Sequence, residues 1–366
     1  MKNIGIITHY GVHNHGAVLQ LTALIKVLRN LGYRAQALQF EKNYDFMGHE
    51  LKEKYNITIK SVSIYLRYLK ENGTSKTFYN YKKRDTLRRF KKDNELIGDY
   101  YTDSQQLDAV VVGSDEVFAL HTGPTPVFFG HCLPTENVIS YAGSFGPTKI
   151  EDIRNLHSEA FVRSGLEAMK GITVRDNNSA SIIEHLLRKR PEIVVDPVIL
   201  YGFADEISAM NRPMDDNYVV VYAYDDRMNT AQEIEAIKSF AKRHKLKTVS
   251  PGFYHGWCDK NINTDPITLL SYFKYANSVI TDTFHGAVMS IITGANVVVK
   301  TRESNYNKLS NLMSEYCLNG RICQDFNNLD RIFEIPIQVD KVVSEIVRRR
   351  RDSMALLTNM LKNCHV

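Results

Sequence analysis

The chain has 366 residues, of which 43% are hydrophobic and 24% are charged, and this suits a soluble globular protein of two domains rather than a disordered or membrane-spanning one. The formal net charge of +5 is too small to indicate a nucleic-acid partner. The five cysteines are scattered, odd in number and free of Cys-x-x-Cys spacing, which indicates reduced thiols in a cytoplasmic protein rather than disulfides or a zinc site.

The first forty residues follow a strand–helix–strand pattern. Residues 3 to 8 form an apolar run that is too short for a signal peptide and predicts a buried strand. Apolar residues then recur at helical spacing until Gly32, and a second strand is predicted over residues 34 to 40. The loop of residues 9 to 16 therefore lies at the carboxyl end of the first strand, where open α/β sheets bind ligands.

The same loop resembles two known kinds of site without matching either. Gly11 and Gly16 are spaced like phosphate-loop glycines, but no Lys-Ser or Lys-Thr follows, and the G-x-G-x-x-G of dinucleotide folds is absent. His9, His13 and His15 are close together, yet they lack carboxylate or cysteine partners, so no metal site is expected.

Residues 42 to 106 differ in composition from their surroundings. Lysine and arginine alternate with tyrosine and phenylalanine, which predicts a helical basic insertion between strands. The favoured interpretation is a solvated basic face over a tyrosine-rich core. The alternative is a surface that receives an anionic acceptor or a membrane leaflet.

Strand patterns resume after residue 107, and each predicted strand ends in polar or small residues. These ends are Asp115, Ser144, Arg175 and Asp196, after apolar runs that begin near residues 108, 137, 171 and 193. Because the carboxyl ends of parallel strands lie at one edge of a sheet, the four residues are expected to meet in one cleft.

A second half begins after a polar linker at residues 205 to 217, which divides the chain into lobes of residues 1–204 and 218–366. A strand at residues 278–281 is followed by a helix that ends at Gly294, so His285 lies where a strand leads into a helix. The helix amides attract anions there, and a histidine transfers protons near neutral pH.

Six segments, in this order, resemble the polysaccharide pyruvyl transferase family. They are His15-Gly-Ala-Val-Leu-Gln20, Val112-Gly-Ser-Asp115, Ser140-Tyr-Ala-Gly-Ser-Phe-Gly146, Val174-Arg-Asp176, Val195-Asp-Pro197 and Ile280-Thr-Asp-Thr-Phe-His-Gly286. The resemblance implies two Rossmann-like lobes arranged as in GT-B glycosyltransferases. It also implies transfer of pyruvate from phosphoenolpyruvate to two sugar hydroxyls, which gives a cyclic ketal and phosphate, with no other cofactor.

The chemistry of the implied reaction suggests roles for particular residues. His285 is expected at the donor, as a ligand of its phosphate or carboxylate or as the acid, and Asp115 is expected to act on the acceptor as base or hydroxyl anchor, with a strand-end turn residue as the alternative for Asp115. Arg175 is the expected guanidinium clamp, although a surface ion pair with Asp176 is the alternative. Further donor contacts are expected from Asn14, His15, Gly16, Thr283, Phe284 and Gly286.

One position departs from the family. Several members have Arg-Leu-His-Gly where this chain has Thr283-Phe-His-Gly286, so the arginine before the histidine is missing. Lys300, Arg302 and Lys260 are three cations that could replace it, and the sequence does not choose among them.

The expected acceptor is a glycan, with a lipid-linked precursor of a surface polysaccharide as one form. Trp257, with His255 beside it, is expected in a loop facing the cleft, where an indole can stack on a sugar, and Ser144 is a further acceptor contact. Core packing of Trp257 is the alternative. Two rival functions stay open: a GT-B glycosyltransferase that uses a nucleotide sugar, and a non-catalytic glycan-binding relative.

Overall fold

The computed structural model describes residues 1–41, 59–104, 106–121 and 123–366, with backbone only at 59–72 and at 304. Part of the predicted insertion, residues 42–58, lies outside this range. The described chain forms two α/β lobes, each built on a parallel sheet.

The first lobe holds a seven-stranded sheet of order β3-β2-β1-β4-β5-β6-β7, with parallel pairing throughout the described strands. Its elements are β1 (Asn3–Ile7), α1 (His15–Asn30), β2 (Arg34–Gln39), α2 (Ile59–Asp93), β3 (Ile97–Tyr100), β4 (Ala109–Val112), β5 (Val138–Gly143), α3 (Ile150–Asn155), α4 (Glu159–Ala168), β6 (Gly171–Val174), α5 (Asn177–Leu187), β7 (Glu192–Ile193), α6 (Pro197–Tyr201) and α7 (Ala204–Ala209). The wholly buried apolar strands β4 and β5 are typical of a sheet covered on both faces.

The second lobe holds a six-stranded parallel sheet of order β10-β9-β8-β11-β12-β13. Its elements are β8 (Tyr218–Tyr222), α8 (Ala231–Arg243), β9 (Lys247–Pro251), β10 (Lys260–Ile262), α9 (Pro266–Lys274), β11 (Ser278–Thr281), α10 (Phe284–Thr293), β12 (Val297–Lys300), α11 (Tyr306–Glu315), β13 (Ile322–Cys323), α12 (Leu329–Glu334) and α13 (Val339–Asn363). Short 3-10 turns cover Pro126–Phe129, Glu303–Asn305 and Asn319–Arg321.

Local sequence explains where the two site-bearing helices begin. Asn14 caps α1, since its side chain accepts a hydrogen bond of 2.8 Å from the Gly16 amide. Thr283 caps α10 in the same way through the Gly286 amide at 2.9 Å. The αL conformation of Gly294 ends α10, as its sequence position predicts.

The terminal helix α13 packs on the first lobe, although the sequence pattern predicted that it belongs to the second lobe. Leu357 and Leu361 are buried in a core that both lobes share, and the Val195 amide donates to Ser353 Oγ at 3.1 Å. The predicted linker is partly helical as well, because α7 occupies its start. The lobe boundary in space therefore differs from the boundary along the chain.

The basic insertion is not wholly helical, because β3 adds a strand to the sheet edge. Its helix α2 also joins the lobes rather than covering one core. Tyr79 Oη donates to the Ile262 carbonyl at 2.7 Å, and Lys83 Nζ donates to the Gly252 carbonyl at 3.1 Å. One face of α2 is thus an interlobe contact. Over the described ranges, the helices are too short or too polar for any of them to span a membrane.

Candidate active site

A cavity of about 250 Å³ lies between the lobes, at the carboxyl ends of their central strands. This is the position where open α/β sheets bind ligands. Its lining comes from both lobes: His9, Val12, Asn14, Ala17, Asp115, Glu116 and His121 from the first, and Tyr222, Tyr224, Phe253, Thr283, Phe284, His285 and Lys308 from the second. Five residues singled out by sequence therefore meet here: Asn14, Asp115, Thr283, Phe284 and His285.

His285 lies where the first turns of α1 and α10 touch. A Cβ added at Gly16 would lie 2.5 Å from the His285 Cβ and Cγ, so only glycine permits this approach. The His285 Nε2 is 3.7 Å from Asp196 Oδ2, which is too long for a hydrogen bond but close enough for an ion pair. Gly16 on one side and Asp196 on the other therefore hold the imidazole at the cavity wall.

A buried ionic network lies behind the imidazole. Arg175 donates to Asp196 Oδ2 at 2.8 Å and to Asp115 Oδ1 at 3.1 Å, and its guanidinium carbon is 4.4 Å from the centre of the Phe284 ring. Burial raises the pKa of Asp196, but His285 and Arg175 outweigh it and bring the pKa below its usual value. Asp196 is therefore ionised at neutral pH, and the Arg175 guanidinium pairs with it.

Arg175 does not line the cavity, so the structure does not bring the expected guanidinium clamp to it. Its side chain is only 2% exposed, and two carboxylates already hold it. The alternative pairing with Asp176 is wrong too, because Asp176 accepts from Ser144 Oγ at 2.6 Å and from the Ser179 amide at 2.8 Å. Arg175 instead positions Asp115 and Asp196.

Asp115 reaches the cavity from a strained backbone position, with a φ of +79° that aspartate tolerates better than most residues. The Ser144 amide donates to its carbonyl at 2.9 Å and anchors the turn to β5. Burial raises the pKa of Asp115, yet Arg175, His285 and Lys308 lower it well below its usual range. So low a pKa favours the predicted role of hydroxyl anchor over that of base.

Lys308 supplies a cation in the cavity and was missed from the sequence. It comes from α11, where its Nζ lies 2.9 Å from Glu116 Oε1 and 4.7 Å from the centre of the Phe284 ring. Lys308 is also the main cause of the lowered pKa of Glu116. A lysine on a helix after β12 carries no local signal that would reveal its contact with the first lobe.

The three cations proposed to replace the missing arginine lie elsewhere. Lys300 donates to Glu233 at 2.6 Å, and Arg302 bridges Asp282 at 2.8 Å and Glu233 at 3.3 Å. Lys260 pairs with Asp216, and both of these side chains are exposed. None of the three lines the cavity, so the expectation that one of them replaces the arginine there is corrected.

The helix amides expected to bind the donor are already occupied. The Gly16 amide donates to Asn14 Oδ1 and the Gly286 amide to Thr283 Oγ1, so both serve as caps. Asn14 itself remains in the lining, where its Nδ2 is 3.4 Å from the hydroxyl of Tyr224 across the cleft. Asn14 is thus an interlobe contact as well as a cap.

His15 joins the lobes and does not line the cavity. Its Nε2 lies 2.8 Å from the Thr264 carbonyl, and a Cβ at Gly252 would lie 2.9 Å from its Nδ1. Burial lowers the pKa of His15 to about 4, so its ring is neutral at physiological pH. The structure therefore gives His15 a contact between the lobes in place of the predicted contact with the donor.

The three residues expected to bind the acceptor also lie outside this lining. Trp257 Nε1 donates to Asn229 at 3.1 Å, and the buried His255 ring lies between Asn229 and the Ala223 carbonyl. Ser144 is fully buried against Asp176. The exposed aromatic side chain of the cavity is instead Tyr224, which is 39% exposed and which the sequence did not distinguish from other tyrosines.

His9, Glu116, His121 and Lys308 are polar lining residues that had no predicted role in ligand binding. His9 had been considered only for a metal. Across the described parts of the chain, no three His, Cys, Asp or Glu side chains are grouped as metal ligands. The polar groups that line the cavity are a lysine, imidazoles, carboxylates, hydroxyls and an amide.

The fold defines a two-lobed α/β protein of the GT-B class. The UDP-GlcNAc 2-epimerase of Methanocaldococcus jannaschii, in complex with UDP-GlcNAc and UDP, is 12% identical with a TM-score of 0.51 over 99% of both chains. The Rickettsia bellii UDP-N-acetylglucosamine 2-epimerase is 9% identical with a TM-score of 0.51, over 98% of this chain and 96% of its own. Trehalose-6-phosphate synthase OtsA is 10% identical with a TM-score of 0.54 over 99% of each chain.

The sequence assigns the chain more narrowly. It belongs to the polysaccharide pyruvyl transferase family, whose profile matches residues 14–304, extends into both lobes and includes all five predicted residues that line the cavity. Among curated proteins, none matches this sequence significantly. Membership in this family indicates a transferase that acts in polysaccharide synthesis.

Proposed function

We propose that this protein transfers pyruvate from phosphoenolpyruvate to two hydroxyls of a sugar in a surface-polysaccharide precursor. The products are a cyclic pyruvate ketal and inorganic phosphate. Phosphoenolpyruvate is a co-substrate in this proposal, and the reaction requires no further cofactor.

The observation that carries the proposal is the pairing of opposite charges around one small cavity. Lys308 and His285 suit the donor phosphate and carboxylate, whereas Asp115 suits an acceptor hydroxyl. The cavity volume of about 250 Å³ lies just below the range of roughly 300–1,000 Å³ typical of drug-sized ligands, which favours a small donor.

The proposed reaction needs one acid and one acceptor for protons. Two carbon–oxygen bonds form at C2 of phosphoenolpyruvate while its bond to the phosphate oxygen breaks. The first hydroxyl gives up its proton, which offsets the one that the methylene carbon gains on becoming a methyl group, and the second hydroxyl proton leaves with phosphate. We assign the proton of the methylene carbon to His285, which lines the cavity and whose Nε2 lies 3.7 Å from Asp196 Oδ2.

Two rivals predict different results. A nucleotide-sugar glycosyltransferase would transfer a sugar and release a nucleotide, and the GT-B likeness alone is compatible with it. A non-catalytic relative would bind glycan without the donor. Lys308 counts against the second rival, since it supplies a cation at the cavity where the family arginine is absent.

The test incubates the purified protein with phosphoenolpyruvate or nucleotide sugars and a panel of lipid-linked saccharides, and then measures product mass and released phosphate. We expect added pyruvate with phosphoenolpyruvate only. His285→Gln should lower turnover by about 100- to 10,000-fold, the usual contribution of a positioned acid. The matched control is His244→Gln, at a surface histidine that pairs with Asp330 and does not line the cavity.

Sugar transfer from a nucleotide donor would contradict the proposal, and so would a correctly folded protein that binds glycan but not phosphoenolpyruvate. Near-native turnover of the His285 variant would contradict its assignment as the acid.

A further inference from the structure

The outer face of α2 carries aromatic side chains that the protein does not bury. Phe78 is 59% exposed and Tyr81 is 68% exposed, one helical turn apart. Lys82 extends over the Phe78 ring, with its Nζ 4.4 Å from the ring centre. Phe78 and Tyr81 are thus neighbouring apolar groups on one exposed helix face, which makes this face a candidate contact surface.

The same face is strongly basic. Between residues 78 and 92 the exposed cations are Lys82, Arg84, Arg88, Arg89 and Lys92, and the sequence holds a single acidic residue there, Asp85. Asp85 pairs with Arg88 at 2.8 Å and Arg89 at 2.5 Å, which leaves an excess of positive charge. We refer to Phe78, Tyr81 and these five cations as the α2 outer face.

We propose that the α2 outer face docks on an anionic lipid surface. Aromatic side chains partition into the boundary between headgroups and acyl chains, while flanking lysines and arginines attract acidic headgroups. Because the α2 outer face lies on a single helix it is convex, and a convex surface can lie on a flat membrane. A nucleic-acid strand is instead tracked by a positively charged groove.

The opposite face of α2 connects this surface to the cavity. Lys83 Nζ lies 4.8 Å from the centre of the Phe253 ring, which lines the cavity, and the Tyr79 ring is 5.5 Å from that of Tyr254. A helix with its side chains is about 10–12 Å across, so a docked membrane would lie roughly one helix diameter from the cavity wall. Docking would also bring a membrane-bound acceptor close to the cavity; that consequence rests on the proposed function, whereas docking itself does not.

Co-sedimentation of the full chain with phosphatidylcholine vesicles, with and without phosphatidylglycerol, tests the proposal at low and high salt. We expect binding only to the anionic vesicles and weaker binding at high salt. Each cation near the surface contributes about fivefold, so Lys82→Gln/Arg88→Gln/Arg89→Gln should bind roughly 100-fold more weakly. Phe78→Ser/Tyr81→Ser should also lose binding while the thermal midpoint stays unchanged.

A matched control removes the same charge from α13, where Lys341, Arg348 and Arg351 are exposed. The triple variant Lys341→Gln/Arg348→Gln/Arg351→Gln should bind anionic vesicles as the wild type does. Equal binding by the α2 and α13 triple variants would overturn the proposal, as would no binding to anionic vesicles. Binding of a single-stranded oligonucleotide in place of vesicles, lost in the α2 variant, would also overturn it. Vesicle binding without pyruvyl transfer would refute only the proposed function.

Discussion

Replacement of Arg175 by methionine tests the buried network most directly. The substitution keeps an unbranched apolar stem but removes the guanidinium and its charge between Asp115 and Asp196. Loss of one partner of a buried ion pair costs about 3–5 kcal/mol, because the remaining charges stay buried and unpaired. We therefore expect Arg175→Met to lower the free energy of unfolding by about 3–5 kcal/mol at neutral pH.

The loss should depend on pH. Asp115 and Asp196 have depressed pKa values in the folded wild type, so their stabilisation is present above the unfolded carboxyl pKa of about 3.9 and is lost as pH falls through the folded values. Without the guanidinium both pKa values rise, and protonation relieves the unpaired charge. The deficit of the variant should be largest at neutral pH and should shrink on acidification.

The assay is unfolding in urea, monitored both by far-UV circular dichroism and by the fluorescence of Trp257, the single tryptophan. Coincident transitions from the two probes would justify a two-state free energy for this two-lobed chain. The control is Arg190→Met, which breaks an exposed pair with Glu184 and should cost at most about 1 kcal/mol. A loss at Arg175 no larger than this, or one that is equal at all pH values, would refute the network.

Two further predictions concern the cavity. Gly16→Ala should displace His285, because the new Cβ would lie 2.5 Å from the His285 Cβ, and we expect a large fall in kcat. The control is Gly11→Ala, which should leave kcat unchanged because no atom lies within 4 Å of its added Cβ. Similar kcat values for the two variants would show that the close approach is unimportant. Lys308→Met should raise the KM for phosphoenolpyruvate about 10- to 100-fold, the equivalent of one charge-assisted hydrogen bond, with a smaller change in kcat. A KM within twofold of the wild type would remove Lys308 from the donor site.

The sequence alone determined the sheet architecture and part of the site. Apolar runs, caps and stop signals located strands such as β1, β4 and β11, since these features act within a few residues of the chain. Asp115 and His285 follow strands of two different sheets, so strand patterns placed each one at the carboxyl edge of its own lobe, and the family resemblance supplied the expectation that they share a cleft.

Only the tertiary structure decided which charges meet. Arg175 follows a strand just as Asp115 does, yet two carboxylates bury it, and no local pattern shows that a residue points behind the cavity wall. Lys308 reaches the cavity, and α13 returns to the first lobe, through contacts between segments far apart in sequence. Packing of the two lobes sets such pairings, and that packing depends on the whole chain rather than on neighbouring residues.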